Sequence, residues 1–262
     1  MSQPEPRWYE LGEEASEPFH LTRVNLSADP QTPEVLGQFL LQGLTNTDYL
    51  RTIVTKHGYN RVSDYIRERR IPTSLSTRVA GFGEVVSGNL LESEEQLSRP
   101  IEKLRYTFNH EWSPHLTDVF AVLITNGEIT TFGYCEVKAG TTPPDKTIGE
   151  AGYSALLKTW REKTPEILYF TSERLWDAQL DEEYERLDRA MSRPEEGSQL
   201  LRLVFVFDEA VWSDSVLETV ADAHENNAPP AGAFACYLVT GTDLRSLVER
   251  SFDAMQQLAV TP

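Results

Sequence analysis

Residues 117–138, TDVFAVLITNGEITTFGYCEVK, constrain this chain more than any other stretch. Two β-rich runs flank Asn126-Gly127, and an Asn-Gly pair readily takes the two positive-φ positions of a tight hairpin turn. A hairpin fixes register. Register decides which side chains share a face, because successive strand residues point to opposite sides. Asp118 opens the first run, and Glu136 and Lys138, two apart and therefore on one face, end the second. Whether Asp118 joins them depends on the turn. A regular two-residue loop pairs Thr125 with Glu128, makes paired numbers sum to 253, and sends Glu136 to the face away from Asp118. A three-residue loop with Gly127 left-handed in a bulge makes the pairs sum to 252 and opposes Asp118 to Tyr134, on the face of Glu136 and Lys138. A bulge at Gly133 rescues the two-residue case. A shared site requires one of these two devices.

The residue types are those of phosphodiester hydrolysis. That reaction needs a divalent cation on oxygen ligands, an activated water and a positive group for developing charge. Asp118 and Glu136, with the carbonyl of Val137, suit Mg²⁺ or Mn²⁺, and Lys138 supplies the ammonium. The triplet Glu136-Val137-Lys138 alone carries little, because 41 acidic residues and 6 lysines in 262 yield about one acid-x-Lys by chance. Its setting carries more: an aspartate opens the partner strand, a Gly-Thr-Thr-Pro-Pro loop follows, and Glu84 stands upstream at the expected start of a helix. His115, just before Asp118, and Tyr153, on the helix after the loop, are candidate substrate contacts.

Charge narrows the function further. The net charge is -17, whereas nucleic-acid binding draws on lysines and arginines that displace counterions. The distribution is uneven. Residues 51–80 carry Arg51, Lys56, Arg61, Arg67, Arg69, Arg70 and Arg78 against Asp64 and Glu68, and residues 171–200 carry nine acids against four arginines. The acidic run is expected to be a solvated helix face. Cys135 and Cys236 sit in apolar strand-like runs and read as buried thiols. With no long apolar run and no basic-then-apolar leader, the expectation is a cytoplasmic protein with no membrane contact. No Walker A loop, G-x-S-x-G elbow or dinucleotide fingerprint occurs.

The pattern along the chain predicts an α/β fold, a mixed β-sheet flanked by helices. Residues 1–78 read as an arm and helical region, and 79–262 as the main domain. Expected elements include a helix from about Gly83 to Leu97 stopped by Pro100, an extended EKLRYTF, the hairpin, and a helix IGEAGYSALLKTWREK followed by a short strand EILYF. A charged helix ending near Pro194 comes next. The strands LLRLVFVFD and FACYLVT enclose a helix, and a last helix has Thr242 or Asp243 as its N-cap.

An acid on a preceding helix, an aspartate opening a strand and Glu136-Val137-Lys138 on the next together resemble the PD-(D/E)xK restriction-endonuclease-like superfamily. More narrowly, FGEVVSGNLLES, PIEKLRY, HLTDVFAVLI and YCEVKAG are similar to the Hachiman-type anti-phage defence effectors, the HamA/AbpA family. The resemblance is clearest over residues 80–160. It implies a restriction-endonuclease-like core with a helical N-terminal extension and a metal-dependent DNase that acts on DNA with a superfamily helicase partner (HamB/AbpB-like). It implies Glu84, Asp118 and Glu136 as metal ligands and Lys138 as the catalytic lysine. Thr117 stands where the superfamily name has proline, and Leu116 where the family carries glycine. An acidic effector delivered to DNA by a helicase needs no basic groove of its own. The competing reading is a non-catalytic adaptor that keeps the nuclease fold and docks a partner through its acidic surface.

Overall fold

The computed structural model describes residues 7–46, 62–107, 116–193 and 198–259. His115 lies outside this set, as do Arg51, Lys56 and Arg61 of the basic stretch. Six strands form one mixed sheet: β1 (Tyr9–Ala15), β2 (His20–Leu26), β3 (Val119–Thr125), β4 (Glu128–Gly140), β5 (Ser198–Asp208) and β6 (Phe234–Gly241), in the order β1-β2-β6-β5-β4-β3. The β2–β6, β6–β5 and β5–β4 pairs are parallel, and the two outer pairs are antiparallel hairpins. β5 runs almost uninterrupted through Leu201, Leu203, Val204, Phe205 and Val206, each fully buried, as expected of a parallel strand covered on both faces.

Helices cover both faces. On one side lie α1 (Thr32–Leu44), α2 (Val62–Arg69), α3 (Leu75–Glu95) and α7 (Leu244–Leu258), packed on Cys135, Val137, Val204, Val206 and Val239. On the other lie α4 (Ile148–Asp177), α5 (Asp181–Met191) and α6 (Ser215–Asn227), packed on Phe120, Tyr134, Leu203, Phe205 and Leu238. The alternation of odd and even positions along β4 and β5 thus assigns each side chain to one helical layer. Among the described residues no helix is long and apolar enough to cross a membrane.

The α/β mixed sheet flanked by helices is as the sequence predicts, with local departures. The N-terminal arm, expected to be irregular or strand-containing, supplies two strands of the sheet, and β2 pairs with β6 over His20–Asn25. Helix α3 starts eight residues before Gly83, because Ser74 caps it by accepting the Thr77 amide proton at 3.1 Å. Residue 78 therefore falls inside α3. EILYF is not a strand. It continues α4, a 30-residue helix that contains Pro165, because Ile167, Thr171 and Leu175 recur every fourth residue and all face the core. The charged run therefore divides, with Ser172–Asp177 ending α4 and α5 beginning at Asp181. EKLRYTF holds a 3₁₀ turn, Lys103–Tyr106, rather than an extended run. Asp243 is the cap of α7.

A buried ion pair ties α3 to the sheet. Arg202 on β5, 6% exposed, meets Glu95 through Nε and Nη2, each at 2.5 Å, and the Tyr237 hydroxyl donates to Glu95 at 2.8 Å. Burial and the neighbouring Glu95 carboxylate push the Tyr237 phenol far up.

Candidate functional site

The hairpin turn is a two-residue loop, with φ of 53° at Asn126 and 83° at Gly127. Thr125 pairs with Glu128 and Ile124 with Ile129, so the register begins at a sum of 253. It then shifts. Leu123 pairs with Thr131, leaving Thr130 as an extra residue on β4. From there to Val119 and Cys135 every pair sums to 254, which sets Asp118 opposite Glu136 and on its face. The three-residue loop is absent, and a bulge rescues the register. It lies at Thr130 rather than Gly133, which pairs regularly with Ala121. Gly133 is used differently: a Cβ there would stand 3.4 Å from Leu97, which packs under the strand. The Thr130 hydroxyl lies 3.4 Å from the Leu123 carbonyl and 3.3 Å from the Thr125 hydroxyl, giving the bulged residue partners across the strand.

Past Cys135 the ladder passes from backbone to side chains. The Val137 amide donates to Asp118 Oδ2 at 2.8 Å, and the buried Thr117 hydroxyl donates to the Cys135 carbonyl at 2.9 Å. These two bonds pin the carboxylate at the strand end. Val137 is engaged through its amide, and its side chain faces α3.

Glu84 is the tenth residue of α3. It is not at a helix start, so a helix dipole does not explain it. Gly83 lets α3 approach β4 closely, because a Cβ there would lie 2.8 Å from Ala139 Cβ and 3.2 Å from Val137 Cγ1. Glu84 comes down from this layer to the start of β3. There it meets Lys103 of the 3₁₀ turn, whose ammonium lies 2.9 Å from Glu84 Oε2, 3.8 Å from Asp118 Oδ1 and 3.1 Å from the Thr117 carbonyl oxygen, to which it donates. Glu84 Oε2 is buried. Its close partner is the Lys103 ammonium, which holds it as an ion pair. On the far side Lys138 donates to Glu136 Oε1 at 2.7 Å.

Electrostatics couple the three acids. Burial pushes Glu84 up to about 7, with Asp118 and Glu136 adding repulsion and Lys103 opposing it. Burial, then Asp118, also raises Glu136, against the pull of Lys138. Asp118 and Lys138 keep the greater side-chain exposure, 24% and 26%, against 10% for Glu84 and 14% for Glu136. A ligand from solvent therefore meets Asp118 and Lys138 first.

Tyr153, expected as a substrate contact, points elsewhere. Its hydroxyl pairs with His224 Nδ1 at 2.9 Å, and its ring packs edge-on against Phe234 in the core. The preceding Gly152 is the residue that faces Lys138, since a Cβ there would lie 3.4 Å from Lys138 Cγ and Cε. One residue on a helix turns the side chain by about 100°, which takes Tyr153 away from the carboxylates. Lys103 is the site residue that sequence reasoning missed. It was legible only as one of six lysines, in a segment read as extended.

The donor set fits a small hard cation in kind. Three carboxylates, from α3, from the residue just before β3 and from β4, repel one another in a partly buried place. In position each is held by another group: Glu84 by Lys103, Asp118 by the Val137 amide, and Glu136 by Lys138. Accordingly, among the described residues no three acidic, histidine or cysteine side chains converge on one coordination point. No protein-family model matches the chain, and no curated protein does.

Proposed function

We propose that this chain is a metal-dependent deoxyribonuclease of the PD-(D/E)xK type, the effector of an anti-phage defence system of the Hachiman kind, licensed by a helicase partner. The observation that carries the reading is the register: the bulge at Thr130 turns Asp118 to the face of Glu136 and Lys138. Glu84, Asp118 and Glu136 would hold Mg²⁺ or Mn²⁺, with the carbonyl of Val137 as a further oxygen. Such an ion supplies Lewis acidity and a more acidic bound water. The chain's own groups do the rest. Asp118 is fixed by the Val137 amide through Oδ2, which leaves Oδ1, 3.8 Å from the Lys103 ammonium, for the ion. Lys138 shares the face and the greater exposure of Asp118, so its ammonium is available to the phosphate as negative charge develops. The hydrocarbon stem of Lys138 rests beside Gly152, which limits its freedom. The net charge of -17 suits an enzyme that receives DNA from a partner rather than capturing it.

The test is plasmid degradation by purified protein with Mg²⁺, with and without the helicase partner, comparing wild type with Glu136→Ala and Lys138→Ala. Loss of activity by at least about 100-fold in both variants is expected. Undiminished cleavage in both would remove these residues from catalysis, and absence of cleavage by wild type with its partner would favour the adaptor reading.

A further inference from the structure

Lys103 stands out once the site is assembled. It is not part of the Glu136-Val137-Lys138 triplet, and it enters from a separate segment, the 3₁₀ turn Lys103–Tyr106. Its side chain is 11% exposed. Its ammonium sits between the carboxylates that the proposed function assigns to the ion, 2.9 Å from Glu84 Oε2 and 3.8 Å from Asp118 Oδ1. A cation with two carboxylate oxygens and the Thr117 carbonyl around it occupies the position a divalent ion would compete for. Two lysines against three acids leave the cluster at formal charge -1. A small cleft lined by Glu84, Arg99, Ile101, Lys103, Asp118 and Phe120 adjoins the ammonium, with room for about one water-sized group, the size of the ammonium head.

We propose that Lys103 is a tethered resident cation of this site: its ammonium holds the ion position, and a divalent ion binds only by displacing it into the adjoining cleft. The inference rests on the nuclease reading. It makes metal occupancy a competition, so the intrinsic affinity for Mg²⁺ is held down by a residue of the chain itself. A merely structural lysine, one that organises the carboxylates for the ion, has the opposite effect, because its removal loosens the ligands.

The experiment measures Mn²⁺ affinity by calorimetry and by the electron paramagnetic resonance of free ion, for wild type, Lys103→Met and Glu136→Gln. Lys103→Met is expected to bind Mn²⁺ at least about tenfold more tightly than wild type, since both competition and repulsion are removed. Equal or weaker binding by Lys103→Met, with wild type binding and Glu136→Gln not, overturns the displacement while leaving the nuclease reading standing. Binding by both wild type and Lys103→Met no tighter than that of Glu136→Gln removes the ion site and both proposals with it. Should Lys103→Met fail to fold, Mg²⁺ titration of the wild type followed on the ¹³Cε signals of lysine decides the matter. The Lys103 signal moves with occupancy while that of exposed Lys146 stays fixed, and a Lys103 signal that does not respond at saturation overturns the proposal.

Discussion

Asp118 Oδ2 accepts the amide proton of Val137 at 2.8 Å, just beyond the last backbone pair of the hairpin, Val119 with Cys135. A side chain thus completes what the backbone ladder leaves open, and the same bond aims the carboxylate. Position and charge are separable here. In Asp118→Asn the amide oxygen can still accept from Val137. The variant is expected to unfold within about 1 kcal/mol of wild type, yet to lose DNA cleavage by at least about 100-fold. Urea unfolding beside a nuclease assay measures the two effects. A variant that keeps activity would show that the carboxylate charge is not used.

The extra residue at Thr130 has a direct test. Deleting it leaves Leu123 opposite Thr131 and Val119 opposite Cys135, so the hairpin becomes regular while Asp118 keeps the face of Glu136. The variant is expected to lose under about 2 kcal/mol, the bonds of the bulged residue, and to keep DNA cleavage. Urea unfolding beside a nuclease assay checks it. Loss of cleavage at retained stability would mean that the bulge itself, and not the pairing it permits, places the carboxylates.

Glu84 gives a pH prediction with a definite sign. Its folded value is raised by burial to about 7, from an ordinary value of 4.5. Between those pH values the folded chain holds more protons than the unfolded one. The contribution to stability is therefore full below pH 4.5, falls as pH rises through about 7, and is level above it. Glu84→Gln removes this slope and is expected to be more stable than wild type at pH 8, by up to roughly 3 kcal/mol. Urea midpoints at pH 5, 6 and 8 for both proteins check it. A constant difference across the range contradicts the raised value.

The Glu95–Arg202 pair offers a contrast remote from the chemistry. Glu95→Ala strands a buried guanidinium and deprives the Tyr237 hydroxyl of its acceptor. The expected loss is about 3–5 kcal/mol. Replacing both charges, with Glu95→Leu and Arg202→Met, is expected to recover most of it. Chemical denaturation of the single and double variants distinguishes a pair that is costly to break from one that supports the fold through its own attraction.

What the sequence made legible was local chemistry with a short range. Asn126-Gly127 announced the turn because its positive φ values are rare elsewhere, and the nearly unbroken apolar run of LLRLVFVFD announced a buried strand. The position of the bulge was not legible, because it depends on contacts of Thr130 with Leu123 and Thr125 across the turn. EILYF misled because its apolar and aromatic residues suit a strand, and only the burial of Ile167, Thr171 and Leu175 on one side reveals the helix. Glu84 was identified as an acid of interest but placed at a helix start, since nothing near Gly83 signals that Ser74 has already begun the helix. Lys103 had no local pattern at all. Its role comes from a 3₁₀ turn meeting α3 and β3, a long-range arrangement that no spacing encodes.

Ser98 exchanges both of its main-chain groups with Val122, at 2.9 and 2.8 Å. Val122 lies midway along β3, on the outer rim of the sheet next to the carboxylates. That rim is consequently closed to an incoming strand from another chain at its centre. Whatever molecule reaches the acids has to arrive over the end of the sheet, recognised by side chains rather than by borrowed β-structure.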